Sequence, residues 1–527
     1  MTLRKRFLLS ITLLMTCAFL AARPAHATLS QHCLWGGGTG AVTPSIQTNS
    51  TQVMMMPVVA DFHFALGNSQ IAFISFANPN QISQDRGGVL RIIDGNCQEL
   101  ATYPDSSPPP PPPCPTNLNT VPDLAPTSGL AVGILDNSST LIDIVAVIGG
   151  PSANHKQIVD FNLVAGKLQV KWCSPPLTGG DFIAKTSAPA IAQMDKGPSY
   201  PAQYNEIAID NKVFDSSGNL RYSGFSVSGP RSRTVAVAAP FGGIPEVITG
   251  RGEYYSSFNF WTGTQGWVNN AVTNSGLVYP AIGEFDSNWL GPEVVVVDTM
   301  ANTVSLLSSA NGTQLASAIL PNVPGCPGST PLSGTCPCPG PNCPKCGGPP
   351  MIGDVDGVAG PEIGVASCNR YTLFKYNGTS VLKPIMSWPI SDASGQTTST
   401  LFTKTGFRRI YYADEHNLWV FDPASNTPIQ SLPNPSGTAI EGPVVAALAD
   451  GGPGKVIVAA NKYASGGTLT GVRIFDEPQM GPVRRCWNEH AYHVTNLSDC
   501  FGNIPSVEPM SWLLTSPARN TYRVQWP

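Results

Sequence analysis

Acidic residues at alternate positions in tight, glycine-bearing turns are the side chains of this 527-residue chain best placed to do chemistry. In Met351-Ile352-Gly353-Asp354-Val355-Asp356-Gly357 two carboxylates stand two apart, and Glu362 follows the turn. In a second loop Glu284, Asp286 and Asn288 alternate, with one residue inserted before the following acid, Glu293. Alternate oxygens in a turn project to one side, where a hard cation such as Ca²⁺ collects six to eight of them and a later acid closes the cage. The expected metal ligands are therefore Asp354, Asp356 and Glu362 in one loop, and Glu284, Asp286, Asn288 and Glu293 in the other. Val358 occupies the place of a third acid in the first loop. Thinner sets are Asp61, Asp136 with Asp143, Asp195 with Glu206, and Asp450, while the loop around Phe241 has none. An Asp in such a turn also serves simply to cap backbone N–H groups, so both roles stay open.

Other chemistry is sparse. No G-x-S-x-G or H-E-x-x-H occurs, and no catalytic residue or organic cofactor site is assigned. His490 and His493 stand three apart and would share a metal on a helix, but Trp487, Tyr492 and Val494 interleave with them and favour a packed segment. Asp414, Glu415 and His416 form another polar cluster. Of 13 Cys, Cys17 lies in the N-terminal apolar stretch. Cys326, Cys336, Cys338, Cys343 and Cys346 crowd a Pro/Gly-rich insertion at 322–350. A zinc knuckle through Cys343 and Cys346 suits that spacing; a disulfide-stapled loop that draws in Cys368 suits an exported chain better. Cys97 with Cys114 and Cys486 with Cys500 are further expected pairs.

What holds these loops follows from composition and repetition. The 52 Gly and 50 Pro exclude long helical bundles, and a hydrophobic fraction of 42% excludes disorder of the whole chain. A pattern of short apolar strand, Asp-bearing turn, and second strand opening on an acidic or polar residue recurs eight times, starting near residues 58, 130, 189, 235, 279, 349, 400 and 442. A third strand with period-two alternation follows most copies. Units of this length have room for four strands, and radial repetition of four-stranded sheets is how a propeller avoids exposed edges. The expected fold is all-β, a seven- or eight-bladed β-propeller of four-stranded blades.

Residues 1–27 carry Arg4, Lys5 and Arg6, an apolar stretch, and a small-x-small ending at Ala25-His26-Ala27, the pattern of a cleaved secretory signal. The expected organisation is then an N-terminal segment at 28–56, a propeller at 57–480, and a C-terminal segment at 481–527 packed on it. The propeller carries a Pro-rich loop at 104–122, with six prolines at 108–113, and the Cys-rich insertion. Phe258, Phe260, Trp261 and Trp267 read as blade packing or as a carbohydrate platform. No later segment spans a bilayer, and no basic cluster suits nucleic acid. The expected chain is secreted, periplasmic or on the outer cell surface, and monomeric.

The turn Asp354-Val355-Asp356-Gly357 with Pro361-Glu362-Ile363-Gly364-Val365 resembles the FG-GAP/VCBS repeat of integrin-α-like propellers. That resemblance implies calcium in some loops between the first two strands of a blade. The block Trp487-Asn488-Glu489-His490-Ala491-Tyr492-His493-Val494-Thr495-Asn496 is similar to the end of bacterial exported proteins of this class, where W-N-x-H-x-Y-H-V-T-N follows the last blade. The function expected is non-enzymatic binding or adhesion to a protein or glycan at the cell surface. The alternative is a polysaccharide lyase or glycosidase with two carboxylates in the propeller channel.

Overall fold

The computed structural model describes residues 28–525 apart from 64–66, 79–84, 106–113, 115–122, 137–139, 150–153, 179–180, 195–203, 224–235, 242–243, 252–253, 260–263, 270–277, 290, 300, 322–345, 393–394, 464–467 and 506–520. The signal segment, the proline run, Cys326, Cys336, Cys338, Cys343, Asp195, Phe260 and Trp261 lie outside the described residues.

The described residues form strands and turns with no helix, as the surplus of Gly and Pro requires. Six four-stranded and two five-stranded sheets follow one another along the chain. Their first strands touch in sequence around a ring, which makes the molecule a β-propeller. Numbered from the N-terminus, the first strands of blades 1 to 8 are Val58–Ala60, Ala131–Gly133, Ala190–Ala192, Ala236–Phe241, Val278–Gly283, Met351–Gly353, Ser399–Lys404 and Val444–Ala447. The fourth strand of blade 8 is Ser30–Gly37, which pairs antiparallel with Thr470–Asp476 from Ser30↔Asp476 to Gly37↔Thr470. The propeller thus begins before residue 57, and the chain's two ends close the ring.

The second strands Gln70–Phe76, Asp143–Ile148, Glu293–Asp298 and Glu362–Ser367 are buried along their whole length. Each lies mid-sheet between the faces of two neighbouring blades, so both of its sides meet apolar partners. Outer strands such as Lys167–Cys173 and Gln314–Ile319 keep exposed positions. On the inner strands charged side chains such as Arg91 and Glu362 are each paired with an opposite charge.

Tryptophans on the outer strands of blades 2, 4 and 6 latch each of these to the next blade. The Trp267 Nε1–H donates to the Ser309 carbonyl (2.6 Å), and its ring lies over Gly312, where a Cβ would come within 2.3 Å of it. Gly312 (φ +70°) also needs the left-handed region. Trp172 covers Gly218 in the same way, and the Trp388 Nε1–H donates to Ser425 O (2.8 Å). Trp267 is therefore blade packing and not a carbohydrate platform.

Four disulfides occur among the described residues: Cys33–Cys97, Cys114–Cys173, Cys346–Cys368 and Cys486–Cys500. The pairings of Cys346 and Cys486 follow the expectation. Cys97 and Cys114 do not pair with each other, because Cys97 meets the blade-8 strand and Cys114 meets the outer strand of blade 2. The zinc reading through Cys346 falls, since that sulfur is in a disulfide.

Candidate functional site

The acid or amide that opens a second strand has the same local job in five blades. Its side-chain oxygen accepts a backbone N–H from the preceding loop, two residues after the first strand ends. The pairs are Phe62 N–H to Gln70 Oε1 (2.8 Å), Leu135 N–H to Asp143 Oδ2 (2.7 Å), Met194 N–H to Glu206 Oε2 (2.7 Å), Phe285 N–H to Glu293 Oε2 (2.7 Å) and Val355 N–H to Glu362 Oε2 (2.7 Å). A buried loop amide needs an acceptor, and the first residue of the returning strand stands where one can be supplied. This capping explains why the repeat keeps an acid or amide there whether or not a metal binds.

What differs between blades is how the buried charge is compensated. In blade 6, Asp354, Asp356 and Glu362 bring ligand atoms within 4.8 Å of one another. The cross-strand partner of Glu362 is Lys375, whose ammonium reaches Glu362 Oε1 (2.6 Å) and Asp356 Oδ2 (2.8 Å). Arg408 lies 3.4 Å from Asp354. The lysine thus stands where a cation would sit. Blade 2 does likewise, with Lys171 Nζ 2.7 Å from Asp143.

Blade 5 has no such lysine. The cross-strand partner of its buried Glu293 is Ser308, and Glu293 Oε1 has no hydrogen-bond partner. Burial, aided by the neighbouring Glu284, pushes the Glu293 carboxyl up to about 8 against the pull of the Phe285 N–H. Burial and Asp286 push Glu284 up to about 7. Asp286 Oδ1 accepts the backbone N–H (3.0 Å) and the side-chain amide (2.6 Å) of Asn288. The donor set of oxygens alone suits a hard cation, although among the described residues only the blade-6 acids bring three ligand atoms within 4.8 Å of one another.

Of the thinner sets, Asp61 lies 3.6 Å from Arg485 and caps the His63 N–H (3.0 Å), while the exposed Asp450 lies 3.6 Å from the same arginine. Asp414 caps the His416 and Asn417 N–H groups (2.8 and 2.7 Å) and accepts from Trp419 and Ser391. These are turn caps and ion pairs.

The C-terminal segment occupies the channel. Inner strands of a propeller leave one edge of backbone groups facing the axis, and such edges seek partners. Residues from 484 onward supply them. Trp487 exchanges backbone hydrogen bonds with Val59 of blade 1 (2.8 and 2.9 Å), the Val132 N–H of blade 2 donates to Asn488 O (2.9 Å), and the Ala447 N–H of blade 8 donates to Arg484 O (3.0 Å). The Ile191 N–H of blade 3 donates to Glu489 Oε2 (2.9 Å). Tyr522 exchanges bonds with Ile352 of blade 6 (2.9 and 2.8 Å), Val524–Gln525 runs parallel to the first strand of blade 7, and the Gln525 side chain donates to Val445 O (2.9 Å). Arg523 is fully buried and ties the segment to itself through His490 O (3.1 Å) and to blade 6 through Pro350 O (2.5 Å).

His490 and His493 are engaged by different protein partners. His490 Nδ1 accepts from Arg523 Nη2 (3.2 Å), and burial beside that cation holds the imidazole neutral. His493 is bonded to Thr495 (2.6 Å) and Asn496 (3.3 Å). Trp487 and Tyr492 are stacked, with centroids 4.3 Å apart. Sequence reasoning missed Lys375 and Arg523, whose partners lie 13 and 33 residues away. Strand register would have found the lysine, since it opposes Glu362 at the end of an alternating third strand.

No family model matches the chain, and no curated protein matches it by sequence. Among solved structures, the Vibrio cholerae biofilm matrix protein Bap1 superposes with a TM-score of 0.54 at 15% identity, over 94% of this chain and 99% of that one. Sqt1 of Saccharomyces cerevisiae gives 0.46 at 10% identity, over 81% and 96%. The rhamnogalacturonan lyase YesW gives 0.44 at 13% identity, over 96% and 82%. At such identities the likeness is one of fold, and the fold is the β-propeller.

Proposed function

We propose that the chain is an exported, monomeric binding propeller of the FG-GAP/VCBS kind, which holds a protein or glycan at the cell surface and carries Ca²⁺ in its blade-5 loop. The observation that carries the binding reading is the channel filled by residues 484–496 and 521–525. A lyase or glycosidase built on this fold would work there, where the chain's own backbone and the side chains of Trp487, Tyr492 and Arg523 are buried. What is left for a partner is the outer surface and the loops. Export accords with four disulfides among the described residues, and among those same residues no helix is long and apolar enough to cross a membrane. The calcium reading is supported by the Lys-to-Ser difference between blades 6 and 5 at the position opposite the capping glutamate.

Two measurements test this. Thermal melting in chelator and in millimolar Ca²⁺ is expected to show an upward shift with calcium, and the shift is expected to vanish in Ser308→Lys, which places an ammonium beside Glu293. Absence of a shift in the parent protein removes calcium from the reading. A panel of neutral and acidic polysaccharides, assayed for new reducing ends and for unsaturated products, is expected to yield neither. Turnover of any of them would overturn the binding reading in favour of the lyase or glycosidase.

A further inference from the structure

Asp160 is a buried acid that caps no loop. It lies on the third strand of blade 2, Gln157–Val164, opposite Val145 of the second strand and Trp172 of the fourth. Its side chain is fully buried, and neither carboxyl oxygen has a hydrogen-bond partner. A charged carboxylate in that position is costly. Burial, with Asp143 beside it, holds the Asp160 carboxyl well above the ordinary range, so it keeps its proton.

The strands on either side bring this acid two reactive partners. Lys171 of the outer strand reaches across the third strand and places Nζ 2.7 Å from Asp143 Oδ1 and 3.7 Å from Asp160 Oδ2. An amine bonded to one oxygen of a carboxyl stands near attack distance of its carbon, about 3–3.5 Å. Both oxygens of Asp143 are held: the Leu135 N–H donates to Oδ2 (2.7 Å) and the Asn162 side-chain amide to Oδ1 (2.7 Å). The Leu135 N–H is therefore placed to stabilise a tetrahedral oxyanion on Oδ2. Burial works to lower the Lys171 pKa, but the hydrogen bond and charge of Asp143 raise it, so its proton has to be taken by a neighbour. Blade 6 lacks such a neighbour, since the second acid beside Lys375 is Asp356, which is 31% exposed.

We propose that Lys171 and Asp143 condense to an intramolecular amide in the folded chain, with Asp160 as the proton relay. Asp160 gives its proton to the Asp143 carboxylate and takes one from the Lys171 ammonium, which leaves a free amine, a neutral carboxyl and Asp160 as it began. The amine nitrogen attacks Asp143 Cγ. A C–N bond forms, the bond from Cγ to Oδ1 breaks, and Oδ1 leaves as water with a second proton drawn from nitrogen through Asp160. Lys171 keeps 28% exposure, which gives that water a way out. Oδ2 remains as the amide oxygen and still caps Leu135. The product joins residues 28 apart and ties the second strand of blade 2 to its outer strand across the third.

The test is the intact mass of the mature chain, denatured and with every disulfide reduced. The expected mass is lower than the sequence requires by one water, and proteolytic mapping is expected to give a branched peptide that carries both Lys171 and Asp143. Lys171→Arg keeps the ion pair, and Asp160→Asn keeps the shape of the relay without its acid. Each is expected to show its full mass while circular dichroism and thermal melting report a folded chain. A parent chain at full mass overturns the proposal, whether or not the variants fold. So does a water loss that maps elsewhere, such as a succinimide at Asp356-Gly357, or one that persists in Lys171→Arg. A water loss between Lys171 and Asp143 that persists in Asp160→Asn overturns the relay assigned to Asp160.

Discussion

A single residue decides how each capping acid keeps its charge. Lys375 faces Glu362 and Ser308 faces Glu293, although the two glutamates cap their loops alike. Lys375→Ser should therefore leave Glu362 without its ammonium. The expected loss is roughly 2 kcal/mol by denaturant unfolding, below the 3–5 kcal/mol of a fully buried pair because Lys375 keeps 19% exposure. Millimolar Ca²⁺ should restore part of it, since the variant loop then resembles blade 5. The pH dependence has a definite sign. Glu293 is held up to about 8 in the folded chain, above its ordinary range near 4.5, so the folded state keeps a proton that the unfolded state releases. Stability in chelator should fall as pH rises from about 4.5 to 8, and Glu293→Gln should flatten that slope in parallel thermal melts. The acids themselves were legible in the sequence as alternating carboxylates in glycine turns. Which loop is self-neutralised was not, because it depends on the register of a strand that begins eight residues beyond Glu362.

Strands and turns were legible because their signals are local. Period-two alternation, an acid opening the second strand and a Gly or Asn turn recur in each copy, and tertiary packing reinforces them. The tail from 481 onward was read as packed on the propeller but not as threading its axis, because its partners Val59, Val132, Ile352 and Val445 are remote in sequence and its strands are two residues long or absent. Its interleaved Trp and Tyr showed burial; only the ring shows where. Trp487→Ala should cost about 4 kcal/mol, the range for emptying a fully buried aromatic site. Cys486→Ser with Cys500→Ser should cost about 3 kcal/mol, since that disulfide closes a span of 14 residues. Both losses should appear in equilibrium unfolding. Hydrogen exchange should rise at the first strands of blades 1, 2 and 8 before it rises at outer strands, because the tail's amide partners lie there.

The ring as a whole stands or falls with the joint between its first and last blades. Every other pair of neighbouring blades is joined by continuous chain, whereas blade 8 meets blade 1 through the Ser30–Gly37 strand and its contacts. Seven residue pairs hold that strand to Thr470–Asp476, and Cys33 on it is bonded to Cys97, in the turn between the third and fourth strands of blade 1. The disulfide therefore fastens the N-terminal strand covalently to blade 1 across a span of 64 residues, worth about 4 kcal/mol by loop closure, while strand pairing alone holds it to Thr470–Asp476. Arg91 strengthens the same joint, its guanidinium 5.0 Å from the centroid of the Trp35 ring and 2.7 Å from Glu99. Sequence boundaries drawn at 57 placed the N-terminal strand outside the propeller, because a lone strand far from its sheet carries no repeat signal. Replacing both Cys33 and Cys97 by Ala should lower the melting temperature and raise hydrogen exchange in Thr470–Asp476 and Val89–Ile93, while blades 3 to 6 keep their protection until global unfolding. Uniform loss of protection around the ring would instead show that the joint is no weaker than its neighbours. Removing residues 28–37 altogether should go further, since it bares the edge of Thr470–Asp476. A bare edge strand pairs with another chain, so the truncated protein should elute as larger species than the parent does.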